Sequence, residues 1–311
     1  LEKNRYLKWR NYEKFNIMEK LAYYVLDVFT DEKYKGNQLS VVYCEDPLTI
    51  QQYYAIAREF GYSETSFVYY SSVEKAFKVR SFTPGNYEVI GAGHNLLGAV
   101  CLALLKDWTI FREQQGEPYV IIKDQKIPVA VTEINGLPYV AMKQRPAVVH
   151  RTVPDEIIAS AVGLDIEALN LNNWQAAVVE TEVAHLMVPV KNSDYLKQVN
   201  LNKGLLKKIS GEYGFEGCYL FTTAHSEQGY IAETRFFNPG IGIDEDAATG
   251  TAAGPLAGYL NTLDYLEQGK EVKIIQGVEL NHPSSIHVRV MPEGIWISGA
   301  SVVTMEGVIY L

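Results

Sequence analysis

Arg80-Ser81-Phe82-Thr83-Pro84-Gly85, then Gly91-Ala92-Gly93-His94 and the apolar run from Asn95 to Leu105, decide how this chain is read. The same order recurs half a chain later. Arg235-Phe236-Phe237-Asn238-Pro239-Gly240 repeats the R-x-F-x-P-G frame, and Ala247-Ala248-Thr249-Gly250-Thr251 precedes a second small and apolar run, Ala252 to Leu260. Both runs are apolar on every face, so each predicts a helix wrapped by other structure rather than one lying on a surface. Short strands around one enclosed helix in each half do not make a βαβ pattern. Two helix starts facing one cleft would make an anion site between the halves.

The 311 residues are long for one core and favour two domains. A hydrophobic share of 47% and a charged share of 21% fit a globular protein. The net charge of −9 and a pI near 5.3 leave no basic stripe to neutralise phosphates, which excludes nucleic acid as the expected partner. No apolar run approaches the roughly twenty residues that span a bilayer. Cys44, Cys101 and Cys218 lack metal-ligand spacing and read as buried thiols of a reducing compartment, so a cytoplasmic protein is expected. Residues 1–20 carry six Lys or Arg against three Glu. They read as an extension ahead of the first strand, with a basic helix docked on the domain as the alternative.

Along the chain, strands are expected at Ala22 to Phe29 and Leu39 to Tyr43, with a turn at Lys35-Gly36-Asn37 between them. Ile50 to Phe60 has helical spacing, Thr49 as N-cap and Gly61 as terminator. Ser63-Glu64-Thr65 forms a polar loop before the strand Ser66 to Tyr70, and Lys75 to Phe82 is another strand. Strands and turns follow from Glu117 to Val149, helix from Pro154 to Leu169, strand from Ala184 to Val190 and mostly helix from Asp194 to Glu212. Strands are expected again at Gly217 to Thr222 and Gly229 to Phe236, and Val272 to Leu311 reads as a β meander. Pro255 is placed near the first turn of its helix, where proline is tolerated.

Three polar residues stand beside the repeated turns or in a comparable loop: His94, Asp246 and Glu64. Each also has a structural reading. Asp246 before a helix is favourable with the dipole, His94 suits a capping or packing role, and Glu64 suits an exposed loop. In combination, a carboxyl and an imidazole at a water-poor junction near free backbone N–H groups can move a proton to or from carbon. Competing motifs are weak. Leu96 occupies the place of the third glycine of G-x-G-x-x-G, which argues against a nicotinamide cofactor. His150, His185, His225, His282 and His287 are scattered, so no metal site is expected.

The ordered set of motifs resembles the phenazine-biosynthesis PhzF-like isomerase family, relatives of diaminopimelate epimerase. The matching stretches are Leu26-Asp-Val-Phe-Thr30 with Gly36-Asn37, Ser63-Glu64-Thr65-Ser-Phe67 and Gly93-His94-Asn-Leu-Leu-Gly98. In the second half they are Asn238-Pro239-Gly240, Glu245-Asp246-Ala-Ala-Thr249-Gly250-Thr251-Ala252 and Gln276-Gly277 to His282-Pro283-Ser284. The resemblance covers Leu21 to Leu311. It implies an α+β fold of two pseudo-symmetric epimerase-like domains, each a β-barrel-like roll around a central buried helix, with the last strands returning to the first domain. The expected boundaries are 1–20 for the extension, 21–132 plus 298–311 for the first domain and 133–297 for the second.

For function, the resemblance implies a cofactor-independent isomerase, acting as a homodimer on a small cyclic carboxylate. Glu64 matches the family's general acid/base, with His94 and Asp246 as further catalytic residues. Ser63, Gly93, Gly250, Thr251 and Asn37 are the matching substrate-binding positions, with the amides of Gly250 and Thr251 receiving the substrate carboxylate. The chain departs from the family pattern at Gln38, Ala247, Thr251 and His282, where Pro, Pro, Ser and Arg are frequent, and Asn95 beside His94 alters the pocket. These positions bear on substrate identity more than on fold. The epimerase and racemase cousins place a cysteine at each helix start; here Ala92 and Ala247 occupy about those places, which disfavours a two-thiol racemase. A non-catalytic binder of small anions on the same fold is the other alternative.

Overall fold

A computed structural model describes residues 20–311 except 109, 110, 112, 113, 115, 170 and 224–228. The expected extension before Lys20, and His225, therefore lie outside the described residues. The first half runs β1 (Lys20–Val28), β2 (Asn37–Tyr43), α1 (Ile50–Phe60), β3 (Thr65–Ser71), β4 (Ala76–Phe82), β5 (Glu88–Val89), α2 (His94–Leu105), β6 (Tyr119–Ile122), β7 (Gln125–Ile134) and β8 (Leu137–Gln144). The second half begins β9 (Val148–Thr152), α3 (Asp155–Val162), β10 (Ala177–Glu180), β11 (Ala184–Pro189), α4 (Ser193–Lys197), α5 (Lys203–Tyr213) and β12 (Gly217–Thr222). It continues β13 (Ala232–Asn238), β14 (Ile243–Asp246), α6 (Gly250–Thr262), β15 (Glu271–Gln276), β16 (Ser284–Met291), β17 (Gly294–Gly299) and β18 (Ser301–Tyr310). The class is α+β, and the strands connect into one mostly antiparallel system.

The order of strand orientations is the same in the two halves. β1–β2 is antiparallel, β2–β3 parallel, β3–β4 and β4–β5 antiparallel, and β4–β6 parallel. Likewise β10–β11 is antiparallel, β11–β12 parallel, β12–β13 and β13–β14 antiparallel, and β13–β15 parallel. β7 pairs with both β6 and β8, and β8 pairs with β17, so hydrogen bonding is continuous between the halves. The chain crosses back at Ala300, after which β18 lies antiparallel to β1 along its whole length.

α2 and α6 behave as their composition demands. Every residue of α2 from His94 to Ala103 is buried, as is α6 from Ala252 to Leu260. Leu96, Leu97, Val100 and Leu102 have no exposed surface, and each contributes roughly 1.5–3 kcal/mol of burial. Small residues let strands close on the helices: a Cβ on Gly258 would stand 2.1 Å from Ala147 Cβ, and one on Gly254 would stand 1.9 Å from Gln144 Oε1. Among the described residues no helix is long and apolar enough to cross a membrane.

Local chemistry sets the shorter elements. Thr49 and Gln52 form a reciprocal capping box on α1, and Gly61 closes it in the left-handed region at φ 69°. Gly163, at φ 69°, ends α3 and splits the expected helix to Leu169 into α3 and a 3₁₀ turn at Ile166–Leu169. The expected helix from Asp194 to Glu212 is likewise two helices, because Asn202 caps a new start on the Leu205 amide. The expected meander from Val272 holds through β17, but β18 leaves it for β1. Pro255 lies inside α6, deeper than the first turn, so it withholds the donor that would serve the Thr251 carbonyl.

Gly258→Val forces the backbone-borne Ala147 Cβ to move, and overpacking of this kind costs roughly 1–3 kcal/mol. The expected result is a lower urea midpoint with an unchanged slope; an unchanged midpoint would show that α6 is not held against the link between β8 and β9 by that contact.

Candidate active site

The repeated frame forms the same device twice. Arg80 Nε and Nη2 donate to the two oxygens of Glu88 at 2.7 and 2.9 Å, and Arg235 Nε and Nη2 donate to those of Glu245 at 2.8 and 2.7 Å. Each guanidinium also lies over the Phe two residues on, 5.1 Å from Phe82 and 5.0 Å from Phe237. A bidentate pair of this kind fixes direction as well as distance. It clips β5 to β4 and β14 to β13, and so aims each following turn at the start of α2 or α6.

The two starts meet. A Cβ on Gly250 would lie 3.5 Å from Gly93 Cα, and one on Gly93 or Gly91 would touch Thr251 Cγ2 at 3.7 or 3.4 Å. The ring of Phe29 closes the floor, 3.3 Å from the same Gly250 position. Phe29 holds φ at 63°, an uncommon conformation for a bulky residue. Its amide donates to the Ala300 carbonyl at 2.9 Å, and its carbonyl accepts from Ser285 at 2.7 Å. The crossing point of the chain therefore holds that strained residue under the helix start.

Asp246 is the polar centre. Asn37 Nδ2 reaches it from the first half, donating to Oδ1 at 2.8 Å and to the Ala248 carbonyl at 2.8 Å. Thr249 Oγ1 donates to Oδ2 at 2.6 Å. Behind it, Gln276 Nε2 donates to the Asp246 carbonyl at 2.8 Å while Oε1 accepts the Thr249 amide at 3.1 Å. Tyr219 OH donates to that Oε1 at 2.9 Å. This buried network is mutually satisfied, which makes the turn rigid.

A cavity of about 590 Å³ opens between the halves and is lined by Glu64, Gly93, His94, Asp246, Gly250 and Thr251 among others. The Glu64 residue keeps an edge to the cleft, but its Oε2 is sealed and has no hydrogen-bond partner among the described residues. Burial, reinforced by the nearby Asp246 charge, pushes the Glu64 pKa up to about 8. Burial raises Asp246 as well, to about 6, against the pull of its Thr249 and Asn37 donors. At neutral pH Asp246 is then mostly ionised and Glu64 mostly protonated. His94, the first residue of α2, is driven down to about 4 by burial and is neutral, with Nε2 sealed and without a hydrogen-bond partner among the described residues. The arrangement offers a proton donor, a fixed anion and a neutral imidazole around one space.

The helix starts are not equivalent. The amide of Gly93, a predicted substrate-binding position, donates to Asn95 Oδ1 at 2.8 Å, and Leu96 donates to the same oxygen. The amides of Gly250 and Thr251 find no acceptor among the described residues. Asn37 and Ser63 do not line the cavity: Asn37 works behind Asp246, and Ser63 Oγ is sealed without a partner among the described residues. Reading the sequence missed Gln276 and Tyr219 as parts of the site and counted His185, a cavity-lining residue, as scattered. Gln276, polar at the end of an apolar strand and next to a glycine at φ 78°, carried the one visible signal. The three cysteines are buried thiols, and none lies in either turn. Among the described residues no three His, Cys, Asp or Glu side chains cluster to hold a metal ion.

Comparison with known proteins agrees with this architecture. The phenazine biosynthesis-like protein family (PhzC-PhzF) matches residues 26–307. A trans-2,3-dihydro-3-hydroxyanthranilate isomerase of Pseudomonas aeruginosa is 28% identical, over 93% of this chain and 99% of its own. An uncharacterised isomerase of Clostridium acetobutylicum is 29% identical, over 95% of this chain and all of its own. A Bacillus anthracis structure of the PhzF family superposes with a TM-score of 0.84 at 24% identity, covering 94% of this chain and all of that one. A hydroxyproline epimerase from Agrobacterium vitis shares the fold at a TM-score of 0.62 and 11% identity, over 96% of this chain and 94% of its own. The chain belongs to the phenazine biosynthesis-like family and is an isomerase.

The Glu64 shift has a thermodynamic consequence. Its folded pKa lies above the usual value of 4.5, so the stability it contributes is present at low pH and lost as pH rises through about 8. Asp246 acts in the same sense at lower pH, while the buried histidines act oppositely below about 6.5. Between pH 6.5 and 8 Glu64 dominates among these groups. Glu64→Gln, a neutral isostere, should therefore gain roughly 1–2 kcal/mol on the wild type across that window, read from urea denaturation at both pH values. Parallel stability curves would contradict the raised pKa.

Proposed function

We propose that this protein is a cofactor-independent isomerase that moves a proton between carbons of a small cyclic carboxylate, with Glu64 as general acid/base. The observation that carries the reading is the sealed, unpartnered Oε2 of Glu64 beside Asp246, in the cavity where the two helix starts meet. A pKa near neutrality lets one carboxyl both take and return a proton. At pH 7 about a tenth of the groups are ionised and able to abstract. The C–H bond breaks, its proton passes to Glu64, and the electron pair delocalises through the substrate's double bond. A new C–H bond then forms at a second carbon as Glu64 gives the proton back, so the step is redox-neutral.

The amides of Gly250 and Thr251 receive the substrate carboxylate and stabilise charge that develops beside it. Gly93 leaves the approach open. His94, uncharged, offers a hydrogen bond without competing for the proton. Burial keeps Glu64 protonated in the resting state, and Asp246, ionised and held by Asn37, reinforces it; Ser63 immediately precedes Glu64. The activity named for the Pseudomonas aeruginosa relative makes trans-2,3-dihydro-3-hydroxyanthranilate the first compound to try. The matched orientation series supports two pseudo-symmetric epimerase-like domains, 21–132 with 298–311 and 133–297. A cytoplasmic homodimer completes the proposal.

Glu64→Gln should lower deuterium uptake from D₂O into substrate at least a hundredfold while leaving the circular dichroism spectrum unchanged. Uptake at the wild-type rate in that variant would sink the assignment of Glu64.

A further inference from the structure

The cleft wall built by β11, β12 and β13 holds a second sealed imidazole. His185 is 2% exposed, lines the cavity and stands edge-on to Phe236, ring centroids 5.3 Å apart. Its Nδ1 accepts the Gly217 amide at 3.2 Å. An acceptor nitrogen carries no proton, so the proton of the neutral ring is on Nε2. Burial drives the His185 pKa down to about 3, which keeps the ring neutral at ordinary pH. Nε2 has no partner among the described residues, and burying an N–H without one is unfavourable. The environment is shaped for this ring: a Cβ on Gly217 would stand 2.2 Å from Phe236 Cζ and 3.2 Å from His185 Nδ1, so glycine admits both rings.

We propose that His185 is a specificity-determining residue, whose Nε2–H binds an uncharged oxygen acceptor, hydroxyl or carbonyl, carried on the ring of the cyclic carboxylate. The inference rests on the substrate class proposed above and deepens it. With Nδ1 occupied by Gly217, the ring of this cavity-lining residue has one donor left to offer a ligand and no acceptor. An ammonium group therefore finds no acceptor on this imidazole, and a ring lacking oxygen leaves the N–H unsatisfied.

Two substitutions separate this role from a structural one. His185→Asn keeps an oxygen where Nδ1 accepts from Gly217 but withdraws the cavity donor; His185→Gln restores an N–H near the position of Nε2 and gives up the Gly217 contact. Steady-state isomerisation of trans-2,3-dihydro-3-hydroxyanthranilate is measured for wild type and both variants. The expected result is a KM about tenfold higher in His185→Asn, with the loss on KM rather than kcat, and a KM nearer wild type in His185→Gln. Wild-type KM in His185→Asn, with impairment confined to His185→Gln, would overturn the proposal.

If wild type leaves that compound unchanged, the failure belongs to the choice of substrate. The three proteins are then equilibrated with a small-molecule extract and their retained acids compared by mass spectrometry. Loss of oxygen-bearing ring acids from His185→Asn alone supports the proposal. Identical retained sets overturn it, and an empty set for all three overturns it together with the binding site it rests on.

Discussion

A carboxylate withdrawn from water must be supplied with donors, and the way Asp246 is supplied organises this molecule. One donor, Asn37, comes from the opening of β2 in the first half; another, Thr249, comes from the turn that starts α6. Meeting that single demand joins two segments 209 residues apart in sequence, closes the turn and seats the α6 start against Gly93. It also puts a negative charge next to Glu64, whose carboxyl burial already makes costly to ionise. Fold and proton chemistry thus share one interaction.

The likeness of the halves explains why two helix starts face each other, and their differences explain how the starts divide the labour. Both halves clip the strand before the turn with a bidentate Arg–Glu pair lying over a phenylalanine. Beyond that clip they diverge. At α2, Asn95 folds back on the Gly93 amide and His94 brings an imidazole. At α6, Thr251 and Ala252 take those places, and the Gly250 and Thr251 amides stay available. In the proposed mechanism the α6 start serves the anion, while the α2 start contributes a neutral side chain near the moving proton.

What the sequence showed followed from how locally each feature is determined. The Thr49 cap, Gly61 stop and enclosed character of α2 and α6 depend on residues within a few positions, and all were readable. The breaks at Gly163 and Asn202 were also local, yet the apolar periodicity running through them hid the boundary. Gln276 stood in a matching motif, but its role behind Asp246 showed only once partners 30 residues apart were placed together, and Tyr219, whose partner lies 57 residues away, gave no signal. His185 reads as one more scattered histidine until β11 is laid beside β12 and Gly217 meets its Nδ1. The Arg–Glu pairs stood within reach: the repeated arginines were visible, and each glutamate follows in the next short strand.

The most direct test is the protonation state of Glu64 itself. Protein carrying ¹³C at the glutamate carboxyls, with Glu64→Gln to assign the signal, can be titrated by NMR from pH 4 to 9. The account requires the Glu64 carboxyl carbon to shift with a midpoint near 8. A midpoint between 4 and 5 would mean an ordinary, hydrated carboxylate, and the sealed proton carrier at the meeting of the helix starts would have to be abandoned.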